Sequence, residues 1–311
     1  MGGSKGLESL WEDWFNSASS PLNDAASIYV HVSDPSTRHS STGLGPLFAS
    51  KVIPSVPTEH YVNLFDAMMQ LLLYAYADPN NTHFVFISDS SIPVKSFDDT
   101  YEELVNERRS RVCLADDKKA KETWERFPQP GIPVHHQRFA EMWMTLNRVG
   151  ASVLIESLPL TMEWQRMNAD RQTKPGPKAG APDELFPATI LQLTLGSDAF
   201  ATCHGDLSKK DEWRGCCPTY TMWPRLEDIR KELAPSLEER CLDISASSPC
   251  AYAEVDAKNL QQIADGGFLF LRKVEEDAVF VKEDGQKIPL KEGLLPLLAD
   301  RQRKAATVVK V

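Results

Sequence analysis

From Thr58 to Ala77 the chain contains neither glycine nor proline. Tyr61, Leu64, Phe65, Met68, Met69, Leu72, Ala75 and Tyr76 recur there at helical spacing. Such a stripe predicts a long helix with one face in a core. After a polar Asp78-Pro79-Asn80-Asn81 turn comes the run His83-Phe84-Val85-Phe86-Ile87-Ser88, the pattern of a strand covered on both faces in a parallel sheet. Upstream, Ser27 to Ser33 reads as a strand that Asp34-Pro35-Ser36 stops. Strand, helix and strand in this order predict a βαβ unit with a right-handed crossover. The fold class expected is α/β, with a mostly parallel sheet flanked by helices.

Other segments carry weaker signals. Leu7, Leu10, Trp11, Trp14 and Phe15 form the stripe of a short amphipathic helix, and residues 1–26 are expected to be a lead-in built around it. Phe97 to Arg108 and Gln137 to Arg148 read as helices, with Ala151 to Glu156 as a strand. Lys174 to Pro182 has no periodicity and reads as a loop. Glu184 to Leu195 reads as a helix that Gly196 stops, Pro187 being tolerated near its first turn. The last third mixes short strands (Thr219 to Met222, Gly267 to Leu271) with short helices (Leu226 to Leu233, Ala257 to Ile263). No internal repeat is present, so one domain with an irregular C-terminal portion is expected.

Charge excludes one class of partner. Acidic residues number 44 against 34 basic ones, a net charge of −10, whereas a general nucleic-acid binder needs a basic face. The most apolar stretch, Ala67 to Ala77, is broken by Gln70 and bounded by Asp66 and Asp78, far short of the roughly 18 residues of a membrane span. The opening Met1-Gly2-Gly3-Ser4-Lys5-Gly6 has neither a signal-peptide core nor a myristoylation pattern. The expectation is a chain with no nucleic-acid partner and no membrane contact of its own.

Of six cysteines, Cys203, Cys216, Cys217, Cys241 and Cys250 are close in sequence, with Cys113 apart. They suggest a small disulfide cluster formed in an oxidising compartment. No Cys-x-x-Cys pair occurs, which removes the spacing of a zinc ribbon or a thioredoxin-like site. A thiol or metal centre on Cys203, His204 and Cys217 has only composition behind it. One Asn-x-Ser/Thr triplet, Asn80-Asn81-Thr82, falls in the polar turn.

Ligands of open α/β sheets bind at the carboxyl ends of strands. Two such ends, Val32-Ser33-Asp34 and Ser88-Asp89-Ser90-Ser91-Ile92-Pro93, carry a carboxylate and hydroxyls, although Asp and Ser are also ordinary turn formers. Neither is followed by a glycine-rich phosphate loop, which disfavours dinucleotide and P-loop folds. Asp183 and Glu184 begin a helix, where capping is the simple explanation. Arg272-Lys273 ends an apolar strand, either as a solvated edge or as a clamp for a diphosphate. Tyr220 and Trp223 fit a platform for a sugar ring or, somewhat better, a packed core.

Six segments taken in order resemble the plant-type branch of the core-2/I-branching β-1,6-N-acetylglucosaminyltransferases. They are Leu10-Trp11-Glu12 with Ser27-Ile28-Tyr29-Val30-His31; Phe86 to Pro93; Arg138 with Trp143 and Arg148; Pro182-Asp183-Glu184 with Thr189; Thr219 to Trp223; and Leu269-Phe270-Leu271-Arg272-Lys273. The resemblance implies a GT-A-like domain over residues 27–275, followed by a strand and helix tail over 276–311. It also implies an inverting transfer from a UDP-sugar, N-acetylglucosamine first among donors, with xylose or glucuronate as alternatives. The acceptor it implies is a glycan or glycoprotein, and it implies no metal and no other cofactor. No two aspartates stand two apart, so the chain lacks the Asp-x-Asp by which most GT-A enzymes hold Mn²⁺.

By this resemblance Glu184 is the general base, and Lys273 with Arg272 stabilises the leaving nucleotide. Val32, Asp34, Ser88, Asp89 and Ser90 line the donor, and Asp183, Trp143, Arg138, Tyr220 and Trp223 face the acceptor. One cation about 4 Å from a phosphate contributes roughly 4 kcal/mol at an effective dielectric near 20. Surface acids mostly lie beyond the screening length of about 8 Å. Departures from the family pattern include Ser247-Ser248-Pro249-Cys250, where branching members place a further cation, Leu185-Phe186 for His-Tyr, and Ala140-Glu141-Met142 for Gly-Ser-Gln. They raise the alternative of a weak or inactive member that binds a nucleotide sugar or glycan as a scaffold. Relatives are anchored in the Golgi by an N-terminal span that this chain lacks, so the expected location is the Golgi lumen with the anchor missing, and the alternative is a soluble cytoplasmic protein.

Overall fold

The computed structural model describes residues 5–33, 44–58, 63–115, 117–126, 132–172, 182–201, 213–214, 216–222 and 249–308. The expectations for Asp34, the 174–181 loop, Cys203, His204, Trp223 and the 226–233 helix lie outside these residues.

The chain begins with α1 (Lys5–Asn16), α2 (Leu22–Ala25), α3 (Pro46–Ala49) and α4 (Leu64–Tyr76). Next come β1 (His83–Val85), β2 (Ser91–Pro93), α5 (Phe97–Asn106), β3 (Leu114–Ala115) and α6 (Asp117–Arg126). The middle of the chain supplies β4 (Thr145–Asn147), α7 (Arg148–Glu156), α8 (Leu158–Gln172), α9 (Pro182–Leu195), β5 (Trp213–Arg214) and β6 (Thr219–Thr221). The last segments are β7 (Tyr252–Asp256), α10 (Ala257–Asp265), β8 (Phe270–Arg272), β9 (Val274–Val281), β10 (Lys287–Pro289) and α11 (Leu290–Val308).

The apolar stripe of α1 is fully used. Leu7, Leu10, Trp11 and Trp14 are buried, and the two indoles donate to backbone carbonyls, Trp11 Nε1 to Ser91 at 3.0 Å and Trp14 Nε1 to Lys95 at 2.9 Å. Glu8, on the same helix, is buried as well. Its carboxylate accepts the N–H groups of Gly45 and of Phe48, the latter at 2.9 Å, and so satisfies donors at the start of α3. These contacts join α1 to a core shared by β2, β6, β7, β8, β9, α10 and α11. A second core lies among α4, β1, β4, α7, α8 and α9.

The strands form small sheets. In the order β2-β8-β6, β2 is antiparallel and β6 parallel to β8, so Ser91, Arg272 and Thr221 stand side by side. The order β10-β9-β7 likewise joins one antiparallel and one parallel pairing, and β1-β4 and β3-β5 are antiparallel. The fold is therefore mixed α/β, as expected, but among the described residues the sheet is not mostly parallel. The βαβ unit is also absent among them. Val30 makes only an isolated bridge to Val52, and β1 pairs with β4 rather than with the segment before α4. Ser27 is exposed and residues 28–32 are only partly buried, so neither face of the segment is enclosed as a core strand's would be.

Two more expectations are overturned. Residues 137–148 are not a helix, because other parts of the chain take their backbone groups: Phe139 O accepts from Ala115, Ala140 N–H donates to Glu184 O, and Met144 O accepts from Phe86. Ala151 to Glu156 belongs to α7 and not to a strand. Asn147 caps it by accepting the Gly150 N–H at 2.7 Å, and Ala151 and Leu154 face the core one turn apart. The 58–77 helix starts later, at Leu64, and α9 with its stop at Gly196 (φ 69°) is as expected. From residue 249 to 308 the described C-terminal segment is regular, with β9 running through residues 275 and 276 and α11 in the first core. No helix among the described residues is long and apolar enough to cross a membrane.

Candidate functional site

The turn between β1 and β2 collects hydroxyls. Ser88 Oγ lies 3.1 Å from Ser90 Oγ and 3.0 Å from Ser91 Oγ, and the Ser88 N–H donates to Ser91 Oγ at 3.2 Å. Arg272, at the end of the adjoining β8, donates from Nε to Ser88 Oγ at 3.1 Å. Its guanidinium lies 4.3 Å from the centre of the Trp143 ring, a cation–π geometry that fixes the plane of the cation. Lys273 follows across a cis peptide bond. The next residue closes the turn, Val274 N–H donating to Ser90 O at 2.8 Å.

Carboxylates surround this pair. Burial pushes the Arg272 guanidinium down to about 10, and the charges of Glu141, Asp89 and Glu184 oppose that shift. Lys273 is also lowered, by burial first and then by Arg272 beside it, while Asp89 and Glu275 act the other way. Glu141 is only 3% exposed, two residues before the stacking Trp143. The bond from Ala140 N–H to Glu184 O, 2.8 Å long, ties this segment to the first turn of α9, and the Glu141 N–H donates to Cys113 O at 3.0 Å. One strip of backbone thus reaches from Glu184 through Glu141 to the ring over Arg272.

Asp183, next to Glu184 in the first turn of α9, is 2% exposed, and its Oδ1 has no hydrogen-bond partner among the described residues. Burial pushes its carboxyl up to about 6, and a bond from its own backbone N–H acts against this. Above that pH the site holds a buried carboxylate, and below it a neutral acid. Among the described residues no group of three or more His, Cys, Asp or Glu is placed to hold a metal ion.

The structure brings together Ser88, Asp89, Ser90, Trp143, Glu184, Arg272 and Lys273. Val32 belongs to a different loop, its N–H donating to Ser55 Oγ at 3.1 Å. Arg138 packs its backbone on α9, its N–H donating to Thr189 Oγ1 at 2.9 Å and its carbonyl accepting from Thr189 at 3.1 Å and from Trp124 Nε1 at 2.7 Å. Tyr220 is 1% exposed and edge-on to Phe268, which is the packed-core reading favoured from its sequence and leaves no open ring face for the acceptor role that the resemblance implied. Arg148 holds the end of α4 through the carbonyls of Tyr76, Asp78 and Asn81. Cys217 is bonded to Cys113, outside the expected cluster, so its sulfur is not free to act as a nucleophile, and Cys216 and Cys250 are disulfide-bonded too. Sequence reasoning missed Glu141, whose one signal was an acid where the family pattern has a small residue.

Residues 3–241 match the family model described as Core-2/I-Branching enzyme. The chain is 31% identical over 258 residues to a protein of Oryza sativa subsp. japonica named Glycosyltransferase BC10, a match covering 75% of this chain. It spans 62% of that relative's length. Arg272 and Lys273 stand beyond the end of the family match, Arg272 as the last residue of β8 and Lys273 just after it.

Proposed function

Because the chain belongs to the core-2/I-branching enzyme family, we propose that it is a glycosyltransferase that moves a sugar from a UDP-sugar to a glycan or glycoprotein acceptor. The reaction inverts the anomeric carbon on a GT-A-like scaffold, without a metal, and N-acetylglucosamine is the first donor to test. The observation that carries this reading is the placement of Arg272 and Lys273 at one strand end, between the Ser88–Ser91 turn and the first turn of α9 with Glu184.

Glu184 takes the proton of the acceptor hydroxyl as that oxygen bonds to the anomeric carbon. The bond from this carbon to the diphosphate breaks on the opposite face, and Lys273 meets the charge that develops there. Arg272, already engaged by Ser88 and Trp143, fixes the floor on which Lys273 sits. Ser88, Asp89 and Ser90 line the donor. Asp183, Trp143 and Arg138 are the described residues assigned to the acceptor side. The lack of any Asp-x-Asp supports a metal-free reaction. The Cys113–Cys217 bond supports an oxidising compartment such as the Golgi lumen.

A second reading, binding without turnover, has one observation in its favour: Ser247 to Cys250 carries no cation where branching members place one. UDP release measured with UDP-N-acetylglucosamine, UDP-xylose and UDP-glucuronate, with and without EDTA, separates the two. Turnover that ignores EDTA and disappears in Glu184→Gln supports the transferase. Donor binding in calorimetry without release of UDP toward any acceptor supports the second reading.

A further inference from the structure

Two adjacent asparagines stand where α4 turns into β1, and the fold uses them oppositely. Asn81 is engaged on every side: Nδ2 donates to Ala75 O at 2.8 Å, Oδ1 accepts from Ser27 Oγ at 2.9 Å, and its carbonyl accepts from Arg148 at 2.7 Å. Arg148 also lies 4.1 Å from the centre of the Tyr76 ring, so the turn is held from beneath. Asn80, at the tip, is exposed. Its backbone N–H donates to Asp78 Oδ1 at 2.9 Å, and its carboxamide makes no hydrogen bond among the described residues. Thr82 is exposed as well, with Oγ1 at 3.0 Å from His83 Nδ1.

We propose that Asn80 is a site of N-glycosylation. Asn80-Asn81-Thr82 is the one Asn-x-Ser/Thr triplet in the chain, and the structure presents its asparagine outward while locking the middle residue inward. In the transfer, Asn80 Nδ2 bonds to the anomeric carbon of an oligosaccharide, the bond from that carbon to a polyprenyl diphosphate breaks, and the amide proton passes to a base of the transferring enzyme. The disulfides are the independent sign of a compartment in which this donor is met.

Two further features fit a glycan here. The backbone from His83 to Ser88 covers roughly 16 Å when extended, so the sugar stands at the far end of β1 from Arg272 and leaves the site open. The two helices that hold the turn carry exposed apolar side chains, Leu73 and Tyr74 on α4 at 39% and Val149 on α7 at 58%, and proximal sugars reaching them would shield them from water.

The test is to direct the full chain into the secretory pathway of a eukaryotic cell and to read the disulfide-bonded protein from the lumenal fraction, exported or not. The expected result is a glycan on the Asn80 peptide that peptide N-glycosidase removes, leaving aspartate. Asn80→Gln and Thr82→Ala each lose the mass shift, whereas Asn81→Gln keeps the triplet and the glycan but lowers thermal stability. A chain with the Cys113–Cys217 bond formed and Asn80 unmodified overturns the proposal. Nothing in this readout depends on sugar transfer by the chain itself.

Discussion

The guanidinium of Arg272 lies 4.3 Å from the centre of the Trp143 ring, and Ser88 Oγ receives its Nε. A desolvated contact of this kind contributes about 1–2 kcal/mol. Removing the ring frees the cation to turn toward Glu141 or Asp89 and away from a phosphate. Trp143→Ala is expected to weaken UDP binding in calorimetry by about fivefold or more, with Trp143→Phe recovering most of the loss. Unchanged affinity in Trp143→Ala would show that the stacking has no part in donor binding.

Among the described residues no hydrogen bond or ion pair engages Lys273 Nζ, whereas Ser88 and Trp143 hold Arg272. Lys273→Ala should lower kcat/KM by about a hundredfold, the size of effect that loss of one preorganised donor to a developing charge produces. Lys291, paired with Asp13 at 2.6 Å on the surface, is the control. Lys291→Ala should stay within about twofold of the parent, and equal effects of the two substitutions would remove Lys273 from the leaving-group role.

Asp183 gives the protein a pH dependence of definite sign. Its carboxyl is pushed up by burial, to about 6 from 3.8, so between these values the folded chain holds a proton that the unfolded chain has lost. Stability therefore falls as pH rises through that window, by an amount on the order of 3 kcal/mol for a shift from 3.8 to about 6. Asp183→Asn removes the titration. Thermal unfolding from pH 4 to pH 8 should show the variant gaining on the parent as pH rises, and a difference in Tm that ignores pH would refute this.

The Cys113–Cys217 bond closes a separation of 104 residues. Loss of a native disulfide costs about 2–5 kcal/mol, and here it also loosens Cys113, whose carbonyl holds the Glu141 N–H. The double variant Cys113→Ala, Cys217→Ala is expected to unfold at lower urea and to bind UDP less tightly than the parent. Lower stability with unchanged UDP affinity would confine the bond to the fold.

Local signals were read well where the structure keeps them local. The stripe of α1, the start of α9 and the stop at Gly196 are each set by neighbours in sequence. The segment 137–148 shows the opposite. Phe139, Met142, Trp143 and Leu146 have helical spacing, yet their strip of backbone bonds to Ala115, Glu184 and Phe86, partners that no window of sequence contains. Ala151 to Glu156 looked like a strand through Val153 and Ile155, but the Asn147 cap decided otherwise. In the site, Ser88 and Arg272 were visible because each ends an apolar run. Glu141 was not, since its segment is held by Cys113 and Glu184, partners distant in sequence. The same non-local pairing explains why a parallel sheet was expected: strand content is legible, strand partners are not.

Strand β8 is the middle of its sheet, yet it comes from late in the chain, and Ser88 and Arg272 are 184 residues apart. During synthesis, Asp89, Glu141, Asp183 and Glu184 all emerge before either Arg272 or Lys273. A nascent chain thus carries the acids of the site without its cations, and β2 and β6 wait with a gap between them. Closing so long a loop is slow. One late insertion of β8 joins β2 to β6 and brings Arg272 and Lys273 to the waiting acids in a single step.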